Sequence, residues 1–187
     1  MQLEQVKDDI ILLRPAYGPE GDSTELWTRE GVIVDRRSIR SVKKALARLY
    51  AIDLPAQGEQ VARIIDRQTV LPFYLPPDRV FIPFKMRTPI CANDRCCGYA
   101  DVNFVDTIGH KDGHTQLVLK DGRTLDLFCT SATAAQTICL GQKLSSALQA
   151  QPGQNEEEVI TQAVLLLLKK LQQLDLVINK FECVKKC

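Results

Sequence analysis

No stretch of this chain approaches the roughly 18 consecutive apolar residues of a membrane-spanning helix, and the opening MQLEQVKDDIILLRPAYGPE has no basic start leading into an apolar run. The expectation is a cytoplasmic protein with no membrane partner. Net charge is nearly absent too: 24 Lys and Arg against 23 Asp and Glu leave a formal +1, so the overall balance does not announce a nucleic-acid binder. Any polyanion site must come from where the charge sits. The sequence also lacks a Gly-rich phosphate loop, a G-x-S-x-G elbow and a metal-binding histidine pair on a helix. It contains neither an internal repeat of longer period nor a low-complexity tract. These absences predict a protein that is not an enzyme and takes no cofactor and no small-molecule substrate.

Cysteine is present, in an odd count of seven. In a reducing compartment such residues are thiols or ligands rather than a disulfide frame. Cys91-x4-Cys96-Cys97 and Cys183-x3-Cys187 hold enough thiolates for zinc, but neither has the C-x2-C knuckle, and adjacent Cys96 and Cys97 point to opposite faces of a strand. A Cys/His/Asp set from Cys96 or Cys97, His110 or His114, and Asp106 or Asp112 can be drawn, yet nothing local specifies its geometry. The segment ICANDRCCGYADV therefore reads as a loop feeding a strand, with Cys97 and Tyr99 packed inward and Arg87 and Arg95 facing outward.

Hydropathy patterning predicts an α+β fold with an antiparallel β-sheet core, an N-terminal basic amphipathic helix, a helix after a hairpin and a long C-terminal heptad helix. DIILLR is a buried strand ended by Pro15, and ELWTREGVIVD gives two short strands around Glu30-Gly31. RRSIRSVKKALARLYA carries Ile39, Val42, Leu46 and Leu49 at helical spacing, an amphipathic helix of about four turns. GEQVARIIDRQ is a second helix burying Val61, Ile64 and Ile65. Pro72, Pro76, Pro77 and Pro83 assign the next segments to edge strands or loops. YADVNFVDTI, TQLVLK and RTLDLF form three antiparallel strands, with Asp121-Gly122 as the strongest hairpin signal. Thr130 or Ser131 then caps a helix whose Leu140, Leu144, Ala147 and Leu148 share a face, and Gly141 weakens it.

Asn155 with Glu156, Glu157 and Glu158 opens a last helix. Along it Ile160, Val164, Leu167, Leu171, Leu174, Ile178 and Phe181 keep a strict alternation of four and three, the seam of a coiled coil. The expected division is an α+β domain over 1–150 and a C-terminal helix over 151–187. That seam serves either a homo-oligomer or docking on its own domain, since Leu165, Leu168 and Val177 widen the apolar face.

The basic helix is the most informative element. Arg36, Arg37, Arg40, Lys43, Lys44 and Arg48 fall within it with no acidic residue between them, so it forgoes the i, i+4 pairs that ordinary solvated helices use. A polyanion explains that choice, and so does a solvated face whose counter-charges come from elsewhere in the fold. Lys85, Arg87, Arg95 and Lys111 extend the candidate DNA-contacting set into later segments. Gly109 to His114 makes a turn able to approach phosphates.

The order of segments resembles the competence transcription factor family, ComK: a strand pair, a helix, the apolar VFIPF strand, a loop ending in CCGYADV, then LVLKDGRTLDL and a helix. The likeness runs from about Gly21 to Leu148 and rests on Pro83, Cys97, Gly98, Tyr99, Asp121, Gly122 and Leu125. The part after Gly98 is also loosely similar to LytTR DNA-binding domains. The resemblance implies a transcriptional activator that binds AT-rich double-stranded promoter DNA through the minor groove as a dimer or larger oligomer, and bends it. Arginine-rich contacts suit that narrow, electronegative groove. The competing class is a non-catalytic protein-interaction or oligomerisation module without DNA binding. In it the heptad seam carries function and the basic patch docks an acidic partner.

Overall fold

Alternating and continuous apolar runs place nine strands and four helices in the computed structural model, which describes residues 2–19, 21–91 and 94–150. The fold is mixed α and β with antiparallel sheets. A short helix α1 (Gln2–Val6) precedes β1 (Ile10–Gly18), β2 (Gly21–Thr28) and β3 (Val32–Asp35). Helices α2 (Ile39–Leu49) and α3 (Leu54–Ile65) follow, then β4 (Phe73–Leu75), β5 (Arg79–Lys85) and β6 (Cys97–Asp101). A single 3-10 turn, Val102–Phe104, leads into β7 (Val105–Lys111), β8 (His114–Leu119), β9 (Thr124–Leu127) and helix α4 (Ser131–Gln149).

The main sheet has the order β3-β2-β1-β6-β5-β4, and β7-β8-β9 form a separate meander. One face of the main sheet carries Ile10, Leu13, Leu26, Phe73 and Phe81 against Ile39, Val42 and Leu46 of α2. The opposite face carries Ile82, Phe84 and Ala100 against α3, α4 and the inward residues of the meander, Leu117, Leu119, Leu125 and Leu127. A register shift between Ile10 and Leu12 lets both Ile11 and Leu12 join this second core. Fully burying each such side chain stabilises by roughly 1.5–3 kcal/mol, so both layers hold the sheet.

Several expectations need correction. Pro15 does not end β1: it pairs with Thr24, beyond Leu13, where pairing with β6 stops, so its missing N–H interrupts no second ladder. Pro83 lies in β5, an interior strand. It pairs with Tyr99 at a level that β4 does not reach, since β4 covers only Arg79 to Phe81. The run YADVNFVDTI is two strands rather than one. Its first half closes the main sheet as β6, and Asp101, whose carboxylate accepts from the Asn103 N–H at 3.1 Å, turns the chain into the meander.

Helix α2 starts at Ile39, later than its sequence pattern suggests, and leaves Arg36 and Arg37 in the preceding turn. Helix α3 starts earlier than expected because the Asp53 carboxylate caps the Ala56 N–H at 3.2 Å and a proline sits in the first turn. In α4 the Thr130 hydroxyl caps the Thr133 N–H, and the buried positions are Ala134, Thr137, Gly141 and Leu144. This face is rotated from the one expected through Leu140 and Leu148. Gly141 sets the rotation, because a Cβ there would overlap the Ile82 side chain. The heptad seam from Ile160 to Phe181, and its thiols Cys183 and Cys187, lie outside the described residues.

Candidate functional site

Aromatic packing at the end of β6 builds the site. Tyr99 leaves the strand towards α2 and meets the Phe73 ring edge-on at 5.0 Å, and Phe73 stacks on Phe81 at 4.9 Å. Lys43, one turn into α2, lays its ammonium 4.5 Å from the centroids of both Phe73 and Tyr99 and donates to the Tyr99 hydroxyl at 3.4 Å. Burial lowers the Lys43 pKa to about 8, and burial raises that of the Tyr99 phenol to about 12. No carboxylate among the described residues pairs with this ammonium. Its attraction to two ring faces offsets part of the lost hydration.

A cleft of about 790 Å³ opens over this cluster. Ile39 and Arg40 from the first turn of α2, and Leu54 and Pro55 from the first turn of α3, line it. Lys85, Arg95, Cys96 and Cys97 line it as well, with Lys43, Lys44 and Tyr99. Ser38 makes no side-chain cap to α2, so positive helix-end potential adds to the side-chain cations. A second cavity of about 270 Å³ shares Lys43, Leu54, Val70 and Tyr99 with the first. Among the described residues Asp94 is the one carboxylate lining the cleft, and it is engaged elsewhere: it accepts from the Tyr17 hydroxyl, the Ile90 N–H at 3.0 Å and the Arg87 guanidinium. Those bonds, that of Tyr17 first, hold its carboxyl below the usual range.

The cleft thus brings together Arg40, Lys43, Lys44, Lys85 and Arg95 from the ten cations singled out in the sequence. Arg40, Lys44, Lys85 and Arg95 are exposed, as is Arg48 further along α2, and none of these five forms an ion pair among the described residues. Arg36 is exposed before the helix, and Lys111 is exposed at the β7–β8 tip, on the meander rather than on the cleft.

Two of the ten are spent on the fold. Arg37 grips Asp35 through two bonds, Nε to Oδ1 at 2.9 Å and Nη2 to Oδ2 at 2.6 Å, which lowers the carboxyl pKa and raises that of the guanidinium. Arg87 does not face outward as expected. Its side chain is 8% exposed, packs over the Tyr17 ring at 4.0 Å, and donates to the Ala16 carbonyl at 2.9 Å, to Asp22 at 2.8 Å and to Asp94.

Among the described residues no group of three or more His, Cys, Asp and Glu is placed to hold a metal ion. The free thiols of Cys97 and Cys129 are pushed up in pKa by burial, which keeps them protonated and poorly nucleophilic. Cys96 donates weakly to the Asp94 carbonyl at 3.6 Å. Sequence reasoning missed Phe73, Leu54 and Asp94 as parts of the site. The acid-free stretch of α2 was the signal that led nearest to it. Comparisons of the chain with protein-family models, with curated proteins and with solved structures find no match.

Proposed function

We propose that this protein is a DNA-binding transcriptional regulator of the competence-factor type, which engages AT-rich duplex through the exposed cations of α2 and the neighbouring rim. The observation that carries the reading is the gathering of exposed cations without ion-pair partners among the described residues at one cleft. Arg14, Arg37, Arg79, Arg87 and Arg123 each have a carboxylate partner within the chain. Arg40, Lys44, Arg48, Lys85 and Arg95 have none among the described residues. Arg63, Lys111, Lys120 and Lys143 have none either, so it is the clustering of Arg40, Lys44, Lys85 and Arg95 at one cleft, rather than the lack of a partner by itself, that makes phosphates the natural partner there. The regulator acts in the cytoplasm, as a homo-oligomer joined through the Ile160 to Phe181 seam, and performs no catalysis.

Mobility shift on AT-rich duplex at increasing salt tests this. The wild type binds with a steep salt dependence. The double variant Arg40→Glu/Lys44→Glu weakens binding across all sequences and lowers the salt slope by about 2, one for each phosphate no longer neutralised. Unaltered binding by the double variant removes α2 from the interface. A chain that binds no duplex but captures a polyglutamate peptide supports instead the reading as a protein-interaction module, which the apolar lining at Ile39, Leu54 and Val70 also suits.

A further inference from the structure

We infer that the cleft between the first turns of α2 and α3 and the end of β6 is a binding site for a small aromatic anion, its ring on the apolar wall and its charged group at Lys43. The inference does not rest on the DNA reading. At about 790 Å³, with a 270 Å³ annex sharing its wall, the space matches the ordinary size of small-molecule sites, which combine an apolar lining with a few convergent polar groups. Leu54, Val70 and Tyr99 supply surface for a flat ring.

Lys43 decides the charge of the occupant. It is a half-buried ammonium with one hydrogen bond, to a phenol, and with no carboxylate partner among the described residues. Its Nζ has two further N–H donors to offer. The one acidic side chain on the lining among the described residues, Asp94, is already bound by Arg87 and Tyr17 and cannot serve. An incoming carboxylate, phosphate or sulfonate provides the missing counter-charge and favours the protonated state that burial disfavours. A rod-like duplex reaches exposed Arg40 and Lys44 from outside, whereas an ammonium half-buried against two rings suits a ligand small enough to enter.

Fluorescence titration of the full chain with 8-anilinonaphthalene-1-sulfonate, beside the uncharged N-phenyl-1-naphthylamine, tests the site. The expected result is saturation at one site, with the sulfonate binding about ten-fold or more tighter than the neutral ring, the range of a charge-assisted hydrogen bond. Lys43→Met lowers sulfonate affinity by a similar factor, Leu54→Asp lowers that of both dyes, and Lys111→Ala changes neither. Lysine NMR of the wild type gives a readout that needs no variant: saturating sulfonate moves the Lys43 titration midpoint upward. Equal affinity for the two dyes, or an unmoved Lys43 midpoint, overturns the inference. Duplex mobility shift on the same samples separates the two ideas. DNA binding without the dye site removes this inference alone, and the dye site without DNA binding removes only the regulator reading.

Discussion

Arg87 and Lys43 are both cations drawn out of water, and their surroundings are opposite. Arg87 is held by Asp22, Asp94 and a backbone carbonyl over the face of Tyr17, so its charge is answered within the fold. Lys43 is held by two aromatic rings and a phenol, and nothing anionic among the described residues answers it. A buried charge left uncompensated costs free energy that a paired one recovers. The first arrangement is what a fold uses to fix a loop on a sheet. The second leaves a charge available to a partner beyond the described residues.

Variants on the paired side break this contrast hardest. Arg79 bonds Asp101, which is wholly buried, at 3.2 Å and also donates to the carbonyls of Lys7 and Ile10. Arg79→Met strands that carboxylate and lowers unfolding free energy by about 3–5 kcal/mol, read from urea denaturation. Gly98 comes next. A Cβ there would overlap Met86 Sδ and the Leu13 carbonyl oxygen, so Gly98→Ala must shift β6 against β1. Overpacking of this kind costs about 1–3 kcal/mol, and a rigid backbone neighbour puts it at the upper end. Calorimetry showing an unchanged melting point would mean that β1 and β6 have room the structure denies.

The unpaired side responds differently. The Lys43 pKa lies near 8 in the folded protein and at 10.5 as its ordinary value, so between these limits the unfolded chain holds more protons. Lys43 therefore contributes a rise in stability with pH through that window, opposed in its upper part by Cys97 and Cys129, whose raised thiol pKa makes the folded chain hold more protons there. Lys43→Met abolishes this local rise and leaves stability at neutral pH within about 1 kcal/mol of wild type or above it, since an apolar side chain of similar length suits the ring pocket. Denaturation midpoints measured near pH 7.5 and pH 9.5 check both statements. The smallest effect belongs to Lys44→Ala and Arg48→Ala, exposed cations without ion-pair partners among the described residues, which shift stability by less than about 0.5 kcal/mol. A larger loss at either would show that its charge is used by the fold.

Local chemistry was the part legible beforehand. Asp121-Gly122 makes the expected hairpin, with Gly122 at φ +84°. Glu30-Gly31 separates β2 from β3. The apolar spacing of Ile39, Val42 and Leu46 predicted the buried side of α2. Reading failed where the answer depended on distant neighbours. Pro83 looked like an edge or loop residue because its own backbone cannot complete a ladder, yet β5 is interior and only the shortness of β4 makes room for it. Gly141 looked like a weak point of α4 and is the position at which that helix meets Ile82.

The site shows the same boundary. The sequence alone determined that six cations fall along one short stretch with no acid among them. Helical and strand periodicities depend on residues a few positions apart, so backbone geometry makes them readable. Tertiary structure alone decided which cations are spent. Asp22 reaches Arg87 across 65 positions and Asp101 reaches Arg79 across 22, through strand registers that no local pattern encodes. The same registers bring Tyr99 and Phe73 under Lys43 and draw Lys85 and Arg95 to the rim. An isolated run of charge thereby becomes one wall of a cleft, because counter-ions follow contacts in space rather than order along the chain.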